Sequence, residues 1–596
     1  MPSSQPDVDN TGRTALSSEL HRKSGWPLSM VIRRRPDWFV LIGLALLGAC
    51  VFLPRLGAFP LWDPWEPHYS QVAWEMQNHR TWTEPIYRNV NNWWSKPVLM
   101  LWLLRASFLW LWDSSNAFAH PEFAARFPFA ILAIGGALAQ YDWVRRLFGR
   151  GIAAVSSVVL LTSAQYVLIG RQVMADMVMV VTHSTAMGYL AVGLFRARYS
   201  SLRRPHLDTA IHNRWPFAIF WSLEGFSVLA KGFVPPTLAV LSLTSYAVLT
   251  YARGQTHHRS PRDEAKRLAA RVALAIFAML ATGWLLHEIG RAESFNQEQR
   301  ELTKACVLSG AMLLVTLGIF GATPPSQHVL KLLTRMHCGW GLTLFLAIAA
   351  PWYAAMTVRH GWNYWSTFIF FHHLGRASGT IHLPGSTFDF YLRQWGFAMF
   401  PWTGFVVGGV VTLIARTRKK LNAVARRDIF VVAQIVAPTT FLMLAGTKFA
   451  HYVFPIVPSS ALCAALVMTR YRRAKHAVSQ RNVESAWGGQ IGLVGLLALC
   501  VTLVLLVDVR HDVRNVLRVF VYYFSRNTPF DYHPARALTL VTIPVVLAAA
   551  SLVFLRRVRP WQTILAVMGG TAFAFYLSWI TMPAMGSTYS YAPLYA

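Results

Sequence analysis

Apolar runs long enough to approach or cross a bilayer recur from Trp38 to Thr581, and nothing else in the 596-residue chain constrains its fold as strongly. A hydrocarbon core of roughly 30 Å takes about 20 helical residues, and inside it every backbone polar group needs an internal partner. The runs do not alternate as barrel strands would, so the sequence predicts an all-α polytopic membrane protein with about fifteen spans. Composition agrees: apolar residues make up 54% of the chain and charged residues 14%, a balance that soluble globular proteins of this size rarely show.

The formal charge of +30 would suit a nucleic-acid binder, but its Lys and Arg fall in short clusters between apolar runs. The excess of cations in cytoplasmic loops explains that distribution, and no nucleic-acid partner is expected. Residues 1–36 read as a flexible basic cytoplasmic tail that ends in Arg33, Arg34 and Arg35. The stretch 97–112 is short, rich in Trp and carries Arg105. Laid along the interface, it keeps Arg145, Arg146 and Arg150 cytoplasmic; as a span, it would put them outside. With the interfacial reading, the outer face receives 54–97, the 171–176 turn, Lys231-Gly232, 288–304, 359–393, the 446–448 turn and 508–536. The main module is then 37–487, and 488–596 supplies C-terminal helices around the outer loop 508–536. The five cysteines, Cys50, Cys306, Cys338, Cys463 and Cys500, have no metal-ligand spacing and read as small apolar fillers.

Acids are scarce, which makes their positions informative. Asp63 and Glu66, three apart and beside His68, suit a general base for an acceptor hydroxyl or a pair of metal ligands. Asp63-Pro64 and Glu66-Pro67 also read as helix starts, so the same acids have a structural alternative. Asp176 is the only acid of a long apolar region, where an ionised group needs a partner or a wet cavity, and Arg171 is its plausible partner. Lys96, Lys231 and Lys448 stand at span ends on the outer face, where cations are least expected and where a lipid phosphate would need them. The loop with His372, His373, Arg376, His382 and Asp389 lacks structural-zinc spacing, but Arg376 suits an anion. No glycine fingerprint supports cytosolic nucleotide chemistry, so an activated donor would arrive attached to a lipid.

The ordered set resembles a known family: an acidic first loop, SKP at 95–97, Arg171 with Asp176, Lys231-Gly232, His373 to Arg376 with the later His382, FPW at 400–402, and Gly446-Thr447-Lys448 followed by Tyr452 and Pro455. It is similar to the GT-C glycosyltransferases of the protein O-mannosyltransferase and lipid A aminoarabinose transferase (ArnT-like) group. The resemblance runs over residues 61–458.

It implies a GT-C-type transmembrane helix bundle with outer-face interfacial helices. It also implies transfer of a sugar from a polyprenyl-phosphate carrier to an envelope acceptor (lipid A, protein or glycan), with inversion, on the extracytoplasmic face of a bacterial inner membrane. Carried over by position, a first-loop acid is the base, Asp176 the second acid, and Lys96, Lys231, Arg376 and Lys448 the donor-phosphate contacts. His68, Tyr69, Arg171, His373, His382 and Tyr452 complete the candidates. One position departs: Trp65 stands where the family's first-loop Asp is customary. The base role therefore goes to Asp63 with Glu66 in support. No cofactor is required, although a divalent metal on Asp63, Glu66 and Asp176 is compatible with the sequence. The competing readings are a lipid-linked sugar flippase or a non-catalytic carrier-lipid binder.

Overall fold

The computed structural model describes residues 37–62, 64–88, 91–112, 121–201, 214–255, 326–375, 390–417, 421–444, 447–469, 480–511, 535–556 and 558–584. The chain opens with α1 (Asp37–Phe52) and α2 (Trp65–Asn78), then a minimal antiparallel hairpin of β1 (Ile86–Tyr87) and β2 (Asn91–Asn92), then α3 (Leu99–Leu111). There follow α4 (Pro121–Phe148), α5 (Arg150–Leu161), α6 (Ala164–Gly170), α7 (Ala175–Ser201), α8 (Trp215–Lys231) and α9 (Val234–Gln255). Next come α10 (Ser326–Arg335) and α11 (Cys338–Trp365), which a π-helical turn (Ser366–Leu374) extends. Helices α12 (Phe390–Ala398), α13 (Thr403–Thr417) and α14 (Ala423–Leu444) lead to a 3₁₀ segment (Ala450–Ile456). The chain closes with α15 (Val457–Met468), α16 (Gln480–His511), α17 (Ala535–Leu555) and α18 (Pro560–Tyr576).

The architecture is an all-α polytopic bundle. Among the described residues, eight helices are long and apolar enough to cross a membrane, or ten if two bent pairs each count as one span. That is fewer than the run count predicted. Helix α1 is apolar but short at 16 residues, and 256–325 lies outside the described residues. Helix α3, at 13 residues, rises only about 20 Å, which fits the interfacial reading. Its Arg105 does not face lipid: Nε donates to Gln77 Oε1 at 2.7 Å, and the guanidinium stacks over Trp82.

The two bent pairs, α5–α6 at 62° and α12–α13 at 111°, pack on one another. A break inside a membrane exposes backbone groups that need partners. Here Ala164 N donates to Phe400 O at 3.0 Å and Trp402 Nε1 donates to Thr162 Oγ1 at 3.0 Å, so each break answers the other. The core centres on residues 450–468, 94% buried, whereas the α16 and α17 spans are only 33% buried and lie at the periphery. Close approach to α15 is possible because Gly409 on α13 has no side chain: a Cβ there would sit 2.2 Å from Cys463 O. The division drawn at 487–488 falls inside α16, and α18 packs back on α1 and α5.

Helix α4 separates two charged layers. Arg126 belongs to one end, and Arg145, 19 residues on and therefore about 28 Å away, binds Asp37 and Asp142 at the other. Arg146 joins Asp142, and Arg150 joins Asp37. That second layer holds the cluster expected on the cytoplasmic side.

Candidate active site

Two buried carboxylates organise the first layer, and they differ in kind. Glu66, in the first turn of α2, is 1% exposed. Its Oε1 accepts from Arg126 Nε and from Val173 N, both at 2.9 Å. Its Oε2 accepts from Arg126 Nη2 at 2.6 Å and from Trp62 N at 2.8 Å. A carboxylate offers about four lone-pair directions, and all are taken. Arg126, fully buried, spends its remaining donors on the Leu56, Phe59 and Pro60 carbonyls. Glu66 therefore ties the first loop to α4 and to the residues just before α7. This corrects the sequence reading, in which Glu66 supported the base or held a metal: no lone pair is left for either task.

Asp176 stands in the first turn of α7 and is 3% exposed. Its partner is not Arg171 but Lys231, the last residue of α8, whose Nζ donates to Oδ1. Arg171 instead turns to the end of α1: Nη1 donates to Val51 O and Phe52 O at 3.0 and 2.8 Å, and Nη2 donates to Pro54 O at 2.9 Å. A cation on the orphan carbonyls of a helix C-terminus is favourable there.

Around the Asp176–Lys231 pair gather residues from distant parts of the chain. His451 and Lys96 lie within electrostatic reach of Asp176 as Lys231 does, and the Tyr452 ring centroid lies 5.0 Å from Lys231 Nζ. Gly232, at φ +69°, ends α8 in the region that glycine tolerates best. A Cβ at Gly232 would lie 2.4 Å from His373 Nε2. His373 Nδ1 is 2.7 Å from Phe368 O, a carbonyl that only accepts, so Nδ1 carries a proton and Nε2 lies on the Gly232 side. Lys448 is half-buried two residues ahead of the 3₁₀ segment.

Beside this centre, His68 stacks on Tyr87 at 4.2 Å and tilts against Trp93, while Tyr69 stacks on Trp65 at 5.7 Å. Burial, and then the charges of Arg88 and Lys96, hold the His68 imidazole below its ordinary pKa of 6.5. The residue that replaces the customary acid, Trp65, is thus part of an aromatic wall. Deeper on the α7–α8 interface is a second pair: His183 Nδ1 lies 2.8 Å from Glu224 Oε1, and Ser227 Oγ donates to Glu224 Oε2 at 3.2 Å. His183 is seven residues past Asp176, and Glu224 is seven before Lys231.

The structure thus brings Lys96, Asp176, Lys231, His373 and Tyr452 to one centre. Asp63, Arg376, His382 and Asp389 lie outside the described residues. Among the described residues no three His, Cys, Asp or Glu side chains form a metal-binding group. Sequence reasoning missed Arg126 and His451. The only available signals were a lone Arg near the start of an apolar run, in AARFPF, and a His beside the motif tyrosine.

The bundle, with its bent spans and its charged layer at one end, has the fold of a GT-C membrane protein. The ArnT crystal structure from Cupriavidus metallidurans bound to undecaprenyl phosphate superposes with a TM-score of 0.58 at 17% identity, over 93% of this chain and 78% of that one. Its apo form gives 0.54 at 16% identity, over 92% and 77%. In sequence, the chain is 22% identical over 471 residues to the undecaprenyl phosphate-alpha-4-amino-4-deoxy-L-arabinose arabinosyl transferase of Aeromonas salmonicida (strain A449), covering 79% of this chain and 66% of that protein. A Proteus mirabilis (strain HI4320) protein, undecaprenyl phosphate-alpha-4-amino-4-deoxy-L-arabinose arabinosyl transferase 2, is 21% identical over 73% of this chain and 60% of its own length. The chain spans about two thirds or less of the length of these curated relatives. No family model matches it. Fold and sequence together bear out the likeness to the ArnT-like GT-C glycosyltransferases.

Proposed function

We propose that this protein is an integral-membrane glycosyltransferase that moves a sugar from a polyprenyl-phosphate carrier to an envelope acceptor on the extracytoplasmic face of a bacterial inner membrane. The relatives' names point to undecaprenyl phosphate as carrier and 4-amino-4-deoxy-L-arabinose as sugar, and the ArnT likeness favours lipid A as acceptor. The observation that carries the reading is the Asp176–Lys231 pair with Lys96, His451 and Tyr452 around it, buried at one end of an apolar bundle.

The chemistry follows from charge. The carrier phosphate leaves the anomeric carbon as a dianion, and Lys231, Lys96, Arg376 and Lys448 are the cations assigned to stabilise it. Asp176 holds Lys231 in place until the phosphate arrives. The acceptor's attacking group comes from the opposite face and gives up its proton to a carboxylate. With Glu66 saturated, that base is Asp63, and Glu66 fixes the loop that carries it. A divalent metal is not needed, because the cationic side chains already neutralise the leaving group. His382 and Arg171 have different places in this reading: His382 stays a candidate contact in the 359–393 loop, and Arg171 caps α1.

The test is release of free polyprenyl phosphate from radiolabelled polyprenyl-phosphoryl sugar by the purified protein with lipid A, run beside Asp63→Asn, Glu66→Gln and Asp176→Asn. Acceptor-dependent release that collapses in Asp63→Asn supports the transferase reading and the assigned base. No release, with labelled lipid still bound, would move the protein to a carrier-lipid binder or flippase.

A further inference from the structure

Three side chains near the charged centre are buried without a hydrogen-bond partner. Tyr391 and Thr447 are at most 1% exposed and Gln394 is 6% exposed, yet Tyr391 Oη, Gln394 Oε1 and Thr447 Oγ1 make no hydrogen bond within the protein. Buried polar groups in native folds are nearly always paired, so three such atoms in one neighbourhood call for an explanation. Tyr391 and Gln394 are three apart on α12 and share a face of it. Helix α12 packs on the 3₁₀ segment, which Thr447 precedes by three residues. Tyr391 Oη lies beside the Phe449 N–H, without the distance and angle of a hydrogen bond, and within electrostatic reach of Tyr452. Tyr452 is also the ring beneath Lys231 Nζ. One residue therefore links the unpaired neutral groups to the cation of the charged centre.

We propose that Tyr391, Gln394 and Thr447 form the seat of the donor's glycosyl group. The inference rests on the transferase reading and adds the part of the site that recognises the sugar. A polyprenyl-phosphoryl sugar presents a charged phosphate and, one bond away, a ring of neutral hydroxyl or amino groups. The protein offers the matching order: lysines at Asp176 and Tyr452, then an uncharged hydroxyl, phenol and amide. Polar groups held unpaired in the free protein reward a ligand that pairs them and penalise one that lacks the matching group. Their neutrality argues against a second phosphate seat.

The experiment titrates two lipids into the detergent-solubilised full chain, undecaprenyl phosphate and undecaprenyl-phosphoryl-4-amino-4-deoxy-L-arabinose. It compares the wild type with Tyr391→Phe, Gln394→Leu and Thr447→Val, and records the melting temperature of each ligand-free protein. Each substitution should raise the Kd for the sugar-bearing lipid by roughly three- to tenfold. It should leave the Kd for the sugarless carrier unchanged and leave the melting temperature equal or higher. Equal weakening of both lipids, no weakening of either, or a lower ligand-free melting temperature would each overturn the glycosyl seat. A wild type that binds neither lipid would instead sink the transferase reading, and this inference with it.

Discussion

Glu66 and Asp176 are both nearly inaccessible acids beside a buried cation, and they do opposite things. Glu66 meets a guanidinium and two backbone N–H groups, so its lone pairs are exhausted. Asp176 meets a single ammonium, that of Lys231, whose side chain is 11% exposed and faces the Tyr452 ring. Arg, planar and weakly hydrated, suits permanent burial, whereas Lys is a compact charge that exchanges partners readily. The number of partners around a buried acid, more than its burial, separates a saturated staple from an acid with lone pairs to spare.

The largest effect should come from breaking the staple. Glu66→Gln leaves Arg126 buried without its counter-ion, and loss of one member of such a pair costs about 3–5 kcal/mol. The expected result is little monodisperse protein in detergent, read by size exclusion and thermal melting. A variant that melts like the wild type but is inactive would reverse the comparison and return Glu66 to the chemistry.

Next in size, Asp176→Asn should lower transfer roughly 10²- to 10³-fold, the scale of losing one preorganised electrostatic element. It should fold, because Lys231 has a partly open environment in which to find water. A collapse of the fold equal to that of Glu66→Gln would erase the distinction between the two acids. Smaller again, Gly232→Ala places a Cβ against His373 and forces a left-handed backbone, at about 1–2 kcal/mol. The measurement is the ratio of transfer loss to melting loss, and the effect should fall mainly on transfer, because the distortion sits beside Lys231.

The smallest effect is a pH dependence. The folded His68 pKa lies below its ordinary 6.5, so the unfolded chain takes up a proton more readily than the folded one. Stability from this group is fully present above pH 6.5 and is lost as pH falls from there through the folded pKa. Melting temperatures of wild type and His68→Gln should therefore converge on acidification, and a constant gap would show that the imidazole does not titrate in this way.

Much of this was legible in the sequence. The apolar runs foretold the bundle, the length of 97–112 foretold the short helix α3, and Lys231 ends α8 where a span end was expected. Lys96, Asp176, Lys231 and Tyr452 were singled out separately and converge in space. Long-range partners were not legible. Arg126 meets Glu66 across 60 residues, and nothing local distinguishes it from an interfacial anchor. Arg171 was paired with Asp176 by proximity along the chain, but a long side chain chooses among all acceptors within reach, and the end of α1 offered three carbonyls. Of the three polar residues of the proposed glycosyl seat, Tyr391 and Gln394 carry no signal in one dimension, since Tyr and Gln are ordinary in an apolar run, whereas Thr447 stands in the Gly446-Thr447-Lys448 stretch that carries the resemblance.

The equal seven-residue spacing of Asp176 to His183 and of Lys231 to Glu224 has a mechanical consequence. Seven residues are nearly two turns of both helices, so the contacts form two rungs about 10 Å apart along one antiparallel interface. A slip of one turn would separate both rungs at once and strand four ionisable groups in an apolar interior. Helices α7 and α8 are thereby keyed together as one strut. Any rearrangement at the charged end must then come from the parts around this strut, with the spacing of Asp176 and Lys231 held fixed.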